Sequence, residues 1–278
     1  MLKGPFLSKD FIGATENYDE AKIVMLGEPY DCTCSNRAGT RFAPQSARLE
    51  SVGIETYSVY FDRDMEDTLF YDAGDLEYPF GNAQRALDIT EENVDCIYND
   101  GKKLLGIGGE HLITLANVKS VLKKYDNVAV IQFDAHTDLR EQYLGEKLTH
   151  SGVMYRIAEL IGYDNIAQIG LRSGEKEEFD IVKNFGTLKS NPSELDKFKD
   201  KNIFLTIDLD VLDPSLMSGV GTPEAGGMTY KELMEWIVYL KDFNIVGADI
   251  MELSPDIDIT KTSSATCCKL IREVLNLL

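Results

Sequence analysis

The sequence predicts an α/β fold, a central and mostly parallel sheet covered by helices. Three observations predict it. Short apolar runs alternate with longer amphipathic stretches from end to end, the pattern of strands joined by crossover helices. The runs are apolar at successive positions, as strands buried on both faces are. Polar, ligand-type side chains follow directly after several runs, where an open parallel sheet builds its sites.

Taken in order, the first strand is expected at 22–27, followed by a long loop at 28–43 and a helix near 44–52. A helix near 83–100 leads to a strand at 103–107, and a helix near 112–125 to a strand at 128–133. The stretch 152–162 reads as a helix before a strand at 165–170, and 202–207 as the next strand. A second long loop at 213–228, rich in Gly, Pro and small polar residues, precedes a helix near 229–241 and a strand at 244–250. The last helix is expected at 261–277 with Thr260 as its N-cap. No repeat or linker divides the chain, so residues 1–278 are expected to form one domain.

Composition narrows the function. The 278 residues carry 28 Lys and Arg against 47 Asp and Glu, a formal charge of -19. That opposes nucleic acid as a partner and tolerates a cationic small substrate. No apolar run reaches the ~20 residues that span a bilayer, and the first residues lack a signal-peptide core, so a cytoplasmic protein is expected. Five cysteines, among them the Cys32–Cys34 pair and adjacent Cys267 and Cys268, form neither a disulfide framework nor a zinc-type spacing.

The strand ends carry the chemistry. GGEH with His111 follows 103–107; DAHTD with Asp134, His136 and Asp138 follows 128–133; DLDVLDP with Asp208 and Asp210 follows 202–207; MELSP with Glu252 follows 244–250. Shared parity would point Asp134, His136 and Asp138 to one side of an extended chain, and likewise Asp208 and Asp210. Four carboxylates in one pocket repel unless cations neutralise them. Six ligands are many for one divalent ion, so two are expected, and carboxylate with imidazole favours Mn²⁺ before Fe²⁺ or Zn²⁺. Any one motif alone has a plainer reading as a cap, turn or solvated edge. DLDVLDP by itself also resembles the nucleophile motif of haloacid-dehalogenase-type phosphatases.

Together, GGEH, DAHTD and DLDVLDP, with DIMELSP, GTRFAPQSAR and DAGDL, resemble the ureohydrolases, the arginase and agmatinase family, over nearly the whole chain. The resemblance implies a three-layer α/β/α arginase-type sandwich and two Mn²⁺ ions, with other divalent ions as alternatives. By it, His111, Asp134, His136, Asp138, Asp208 and Asp210 hold the metals. Glu252 binds the substrate guanidinium, His150 shuttles a proton, and Asp138 combines metal and substrate contacts. The implied reaction takes agmatine to urea and putrescine, a step of polyamine biosynthesis, in a homotrimer or homohexamer. Arginase, guanidinobutyrase and formimidoylglutamase activities are the alternatives, and a metal-stabilised oligomer without activity is another. Hydrolysis of a guanidinium needs hydroxide near neutrality, which metal coordination supplies by lowering the pKa of water from 15.7 to about 7. An imidazole titrating near neutrality suits the proton shuttle. Glu110 stands where many relatives carry Asp, and HSG at 150–152 where they often show HG. For the substrate tail, Glu141 and Glu146 are candidates to attract an ammonium, and Arg37, Arg41 and Arg140 to receive a carboxylate.

Overall fold

The computed structural model describes residues 10–278. Its main sheet has seven strands, all parallel, in the order β4-β1-β5-β9-β8-β6-β7. They are β1 Ile23–Glu28, β4 Phe70–Asp75, β5 Lys103–Gly108, β6 Val128–Phe133, β7 Ile166–Ile169, β8 Asn202–Asp208 and β9 Asn244–Met251. A small antiparallel pair, β2 Tyr57–Ser58 with β3 Arg63–Asp64, lies outside it. Six of the seven strands stand where the apolar runs place them.

Helices cover both faces. Side chains of the strands alternate between two apolar clusters, Ile23 and Met25 facing one and Val24 and Leu26 the other. The first cluster is closed by α1 Ala43–Ser51, α6 Tyr230–Tyr239 and α7 Thr262–Leu277. The second is closed by α2 Ala83–Asn99, α3 Thr114–Lys124 and α4 Val153–Ile161, with α5 Lys176–Phe185 adding Val182. The result is the expected three-layer α/β/α sandwich. No helix among the described residues is long and apolar enough to cross a membrane.

Three elements depart from expectation. The edge strand β4 reads as a loop because its sequence, FYDAGD, carries two aspartates and a glycine. Its Asp72 is nonetheless buried, with Arg48 donating Nε and Nη2 to its two oxygens at 2.8 Å each and the Phe11 amide donating at 2.9 Å. Helix α5 escapes notice because its N-cap is Glu175, an unusual capping residue, paired in a capping box with Glu178. The N-cap of α7 is Lys261 in a left-handed conformation (φ 61°) rather than Thr260, whose hydroxyl only accepts a long bond from the Thr262 amide at 3.3 Å. Asp258 does the capping instead, accepting from the Ser263 amide at 2.8 Å. Cys267 and Cys268 are buried in α7 as small apolar side chains.

One feature of the topology matters most for function. Strands β5, β9, β8 and β6 are direct neighbours, although the chain visits them in the order β5, β6, β8, β9. Their tips are level: Ile107 pairs with Ile250, Ile250 with Ile207, and Ile207 with Phe133. The residues just beyond that row therefore emerge side by side.

Candidate metal centre and active site

Those emerging residues are His111 after β5, Asp134 after β6, Asp208 at the end of β8 and Glu252 after β9. Two glycines make room at the first tip. A Cβ on Gly108 would stand 2.2 Å from the Met251 side chain, and one on Gly109 would stand 2.2 Å from Tyr30 O. GG is thus required for the loop after β1 and the tip of β9 to approach β5.

The carboxylates converge, though not by strand alternation. The chain leaves extended geometry just after the tips: Asp208 Oδ1 accepts from the Asp210 amide at 2.8 Å, turning Leu209–Val211 into a short 3-10 turn. Asp138 sits at φ 51° and Glu252 at φ 69°, left-handed conformations uncommon for these side chains. The peptides flanking Asp138 are clamped. Glu178 Oε1 accepts from Thr137 Oγ1 at 2.6 Å and from the Leu139 amide at 3.1 Å, and Gln168 Nε2 donates to Thr137 O at 2.8 Å.

His111 Nδ1 stands 3.1 Å from Asp134 Oδ2, 3.2 Å from Asp138 Oδ2 and 3.4 Å from Asp208 Oδ2. His136 Nδ1 stands 2.8 Å from Asp210 Oδ2 and 3.6 Å from Asp134 Oδ1. Two groups of ligand-type atoms result, His111 with Asp134 and Asp208, and Asp134 with His136 and Asp210, each within 4.8 Å. Asp134 belongs to both.

These residues fit a divalent cation. His111 is fully buried, its Nε2 is bonded to Thr206 Oγ1 at 2.8 Å, and its Nδ1, facing three carboxylates, has no hydrogen-bond partner among the described residues. That is how an imidazole held by one nitrogen presents the other to a metal. The donor set of oxygens and imidazole nitrogens suits hard to borderline ions. The electrostatics agree. Burial, then the charge of Asp134, raises Asp138 to about 7, and burial, then neighbouring carboxylates, raises Asp208 and Asp210. Burial pulls His136 down, but its bonds to Asp134 and Asp210 outweigh that and hold it up at about 12. Such a cluster demands positive charge among its oxygens.

A cavity of ≈ 270 Å³ opens beside the cluster, with His136, Asp138 and Asp208 in its lining. His150, at the start of a 3-10 turn before α4, also faces it. Its Nδ1 lies 3.8 Å from Glu252 Oε1, and its Nε2 accepts from the Ser35 amide at 3.2 Å. Contrary to the near-neutral titration expected of it, His150 is pushed down to about 4, by burial first and then by the charges on His111 and His136. Glu252 Oε1 accepts from the His111 amide at 2.8 Å; burial, offset in part by that bond, raises Glu252 to about 8.

Neither Glu141 nor Glu146 lines this cavity; Glu175 and Glu178 take that place. Of the three arginines, Arg41 is paired with Asp31 at 2.5 Å, and Arg37 donates to the carbonyls of Gly221 and Val220. Arg140 does line the cavity, 3.2 Å from Glu175 Oε1 and 3.7 Å from Glu178 Oε2. Several residues escaped the sequence reading: Thr33, Ser35, Tyr143, Arg172, Glu178 and Thr222. Arg172 donates to Asp210 O at 2.6 Å and Glu224 O at 2.8 Å, fastening the loop 213–228 to the cluster. The spacing of Glu175 and Glu178, a capping-box interval, was the available signal for α5 and so for Glu178.

A parallel α/β/α sheet that gathers carboxylates and imidazoles at its strand tips, beside a small polar cavity, defines a hydrolase of the arginase-type fold. The Arginase family model matches residues 21–276, and the chain belongs to that family. It is a hydrolase acting on guanidino C–N bonds. Among its relatives, the agmatinase of Bacillus subtilis (strain 168) is 44% identical over 97% of this chain and 96% of its own. The guanidinobutyrase of Pseudomonas aeruginosa is 32% identical, over 92% of this chain and 86% of its own. The crystal structure of the agmatine ureohydrolase of Thermoplasma volcanium superposes with a TM-score of 0.87 at 30% identity, covering 98% of this chain and 95% of that one.

Proposed function

We propose that the protein hydrolyses agmatine to putrescine and urea, with two Mn²⁺ ions held by His111, Asp134, His136, Asp138, Asp208 and Asp210. One observation carries the choice of substrate. The cavity wall presents Glu175 and Glu178 around Arg140, so the single guanidinium among the described lining residues is outweighed by carboxylates. A distal ammonium is attracted to such a wall and a distal carboxylate is repelled. The 44% identical agmatinase supports the same assignment.

When bound, the metals supply a water acidified to near neutrality and positive charge that offsets the four aspartates. The chain's own residues do the rest. Glu252, oriented by the His111 amide, receives the guanidinium through charge-assisted bonds and aims its carbon at the cluster. The arriving cation favours the ionised form of a carboxyl that burial, offset in part by the His111 amide, holds up at about 8. A main-chain N–H can only donate, so Ser35 faces the bare nitrogen of His150 and the ring hydrogen sits on Nδ1, toward Glu252. From there it points at the side where the amine departs, and each proton handed on from Nδ1 is balanced by one that Nε2 takes up from cavity water, so the ring stays neutral. Thr222, Tyr143 and the Arg140 wall close the remaining sides.

Urea release from agmatine, guanidinobutyrate and arginine, each with Mn²⁺, tests the proposal. Agmatine is expected to have the highest kcat/KM; a preference for either carboxylate-bearing substrate would overturn it. Guanidinobutyrate is the second reading, favoured by Arg140 in the lining and by the 32% identical guanidinobutyrase.

A further inference from the structure

His150 is held at both ends by one short stretch of the loop 28–43. Its main-chain N–H donates to Thr33 Oγ1 at 3.0 Å, and its Nε2 accepts from the Ser35 amide at 3.2 Å. Thr33 is itself fixed: its amide donates to Glu110 Oε2 at 2.6 Å and its hydroxyl to Glu110 Oε1. Glu110 is fully buried, its amide donates to Tyr30 O at 2.7 Å, and it directly precedes His111. Both of its carboxylate oxygens thus accept from Thr33, and Oε2 accepts a weak bond from Cys34 Sγ at 3.8 Å as well. An aspartate here, one methylene shorter, would fall about 1.5 Å short of the two donors from the same backbone.

We propose that Glu110 is a positioning residue for His150: it anchors Thr33, and the Thr33–Ser35 segment fixes the imidazole with its ring hydrogen on Nδ1, facing Glu252. The inference rests on His150 being the proton-handling group of the proposed reaction. A neutral imidazole carries its hydrogen on either nitrogen, and a donor fixed opposite one nitrogen selects the other. The loop supplies that donor only while Thr33 stays seated on Glu110. The tip of β5 would then serve two tasks, offering His111 to the metal and Glu110 to the loop that orients the shuttle.

Three variants test this. Thr33→Val keeps the side-chain shape and removes both hydroxyl bonds, Glu110→Asp withdraws the anchor, and Glu110→Gln turns an NH₂ toward one of the two Thr33 donors. The chain has three histidines, so long-range ¹⁵N–¹H spectra of the histidine-labelled full chain, without added Mn²⁺, resolve each ring's tautomer. In the parent, His150 is expected with its hydrogen on Nδ1. In Thr33→Val and Glu110→Asp its resonances are expected to move toward a mixture of tautomers while those of His111 and His136 stay in place. With Mn²⁺, kcat on agmatine should fall about 10- to 100-fold, with KM and the Mn²⁺ dissociation constant changed less than about twofold. Parental His150 resonances and parental kcat in Thr33→Val would overturn the proposal. So would a parallel loss of Mn²⁺ affinity, because Glu110 would then be acting on His111. If Glu110→Asp fails to fold, Thr33→Val decides. A parent that releases no urea from agmatine would remove the functional assignment, yet the tautomer spectra would still decide the positioning role.

Discussion

Replacing Asp134 by Asn asks whether one carboxylate serves both halves of the cluster. Its Oδ2 accepts from Gln132 Nε2 at 2.6 Å and faces His111 Nδ1 at 3.1 Å; its Oδ1 accepts from the His136 amide at 2.6 Å and lies 3.6 Å from His136 Nδ1. Either orientation of an Asn amide sets its NH₂ against one of two donors, Gln132 Nε2 or the His136 amide. One hydrogen bond to a charged group, worth about 1.5–3 kcal/mol, is lost even without metal. At about 2–4 °C per kcal/mol for a chain near this size, the metal-free Tm should fall by about 3–12 °C. The larger effect is on cation uptake. With free Mn²⁺ about 100-fold above Kd, each occupied site adds about 2.7 kcal/mol, so the two proposed sites should raise the parental Tm by about 10–20 °C. Asp134 belongs to both ligand groups and Asp210 to one. D134N should therefore lose most of that rise and D210N about half. Thermal unfolding of chelator-dialysed protein with and without Mn²⁺, with calorimetric titration for ions bound per chain, makes the measurement. A D134N variant with the full rise and the parental stoichiometry would refute the shared-carboxylate argument.

Other consequences are as direct. Glu252→Gln keeps the acceptor for the His111 amide but removes the charge proposed to meet the guanidinium, so kcat/KM for agmatine should drop about 10- to 100-fold, the equivalent of about 1.5–3 kcal/mol; an unchanged kcat/KM would exclude Glu252 from binding. His150→Asn should lower kcat by about 100- to 10,000-fold and leave the Mn²⁺-induced rise in Tm intact, since His150 is in neither ligand group. Loss of that rise would instead make His150 part of the metal centre. Glu28 gives a pH test behind the cluster, in the buried network that reaches His111 through Asp249 and Thr206. It is buried, Asn117 Nδ2 bridges it at 3.1 Å to Asp249 at 3.0 Å, and one oxygen of each carboxyl has no hydrogen-bond partner among the described residues. Burial, then the charge of Asp249, raises Glu28 well above 4.5, so the folded chain holds a proton that the unfolded chain releases. That contribution is fully present below the unfolded value and is lost as pH rises through the folded one. The Tm of Glu28→Gln relative to the parent should accordingly increase from about pH 5 to about pH 8, and a pH-independent difference would count against a proton on Glu28.

The sequence by itself determined the architecture and the inventory of the site. Strands buried on both faces must be apolar throughout, which made six of seven strands legible, and ligand-type residues stood out because they interrupt that apolarity at the strand ends. The edge strand β4 and helix α5 stayed hidden for local reasons: β4 is half polar because Arg48 neutralises Asp72, and α5 begins on a glutamate. Only the tertiary structure decided how the inventory is arranged. Alternation along an extended strand does not bring Asp138 or Asp210 to the cluster; a left-handed residue clamped by Glu178 and a 3-10 turn on Asp208 do. Nor does parity reveal that β9 and β8 come to lie between β5 and β6, which sets His111, Glu252, Asp208 and Asp134 in one row. It was also the fold that kept Arg37 and Arg41 out of the cavity lining, set Glu175 and Glu178 there, and depressed the pKa of His150. Side-chain identity is local information, whereas pairing order, burial and the fields of neighbouring charges arise from contacts between residues far apart in the chain.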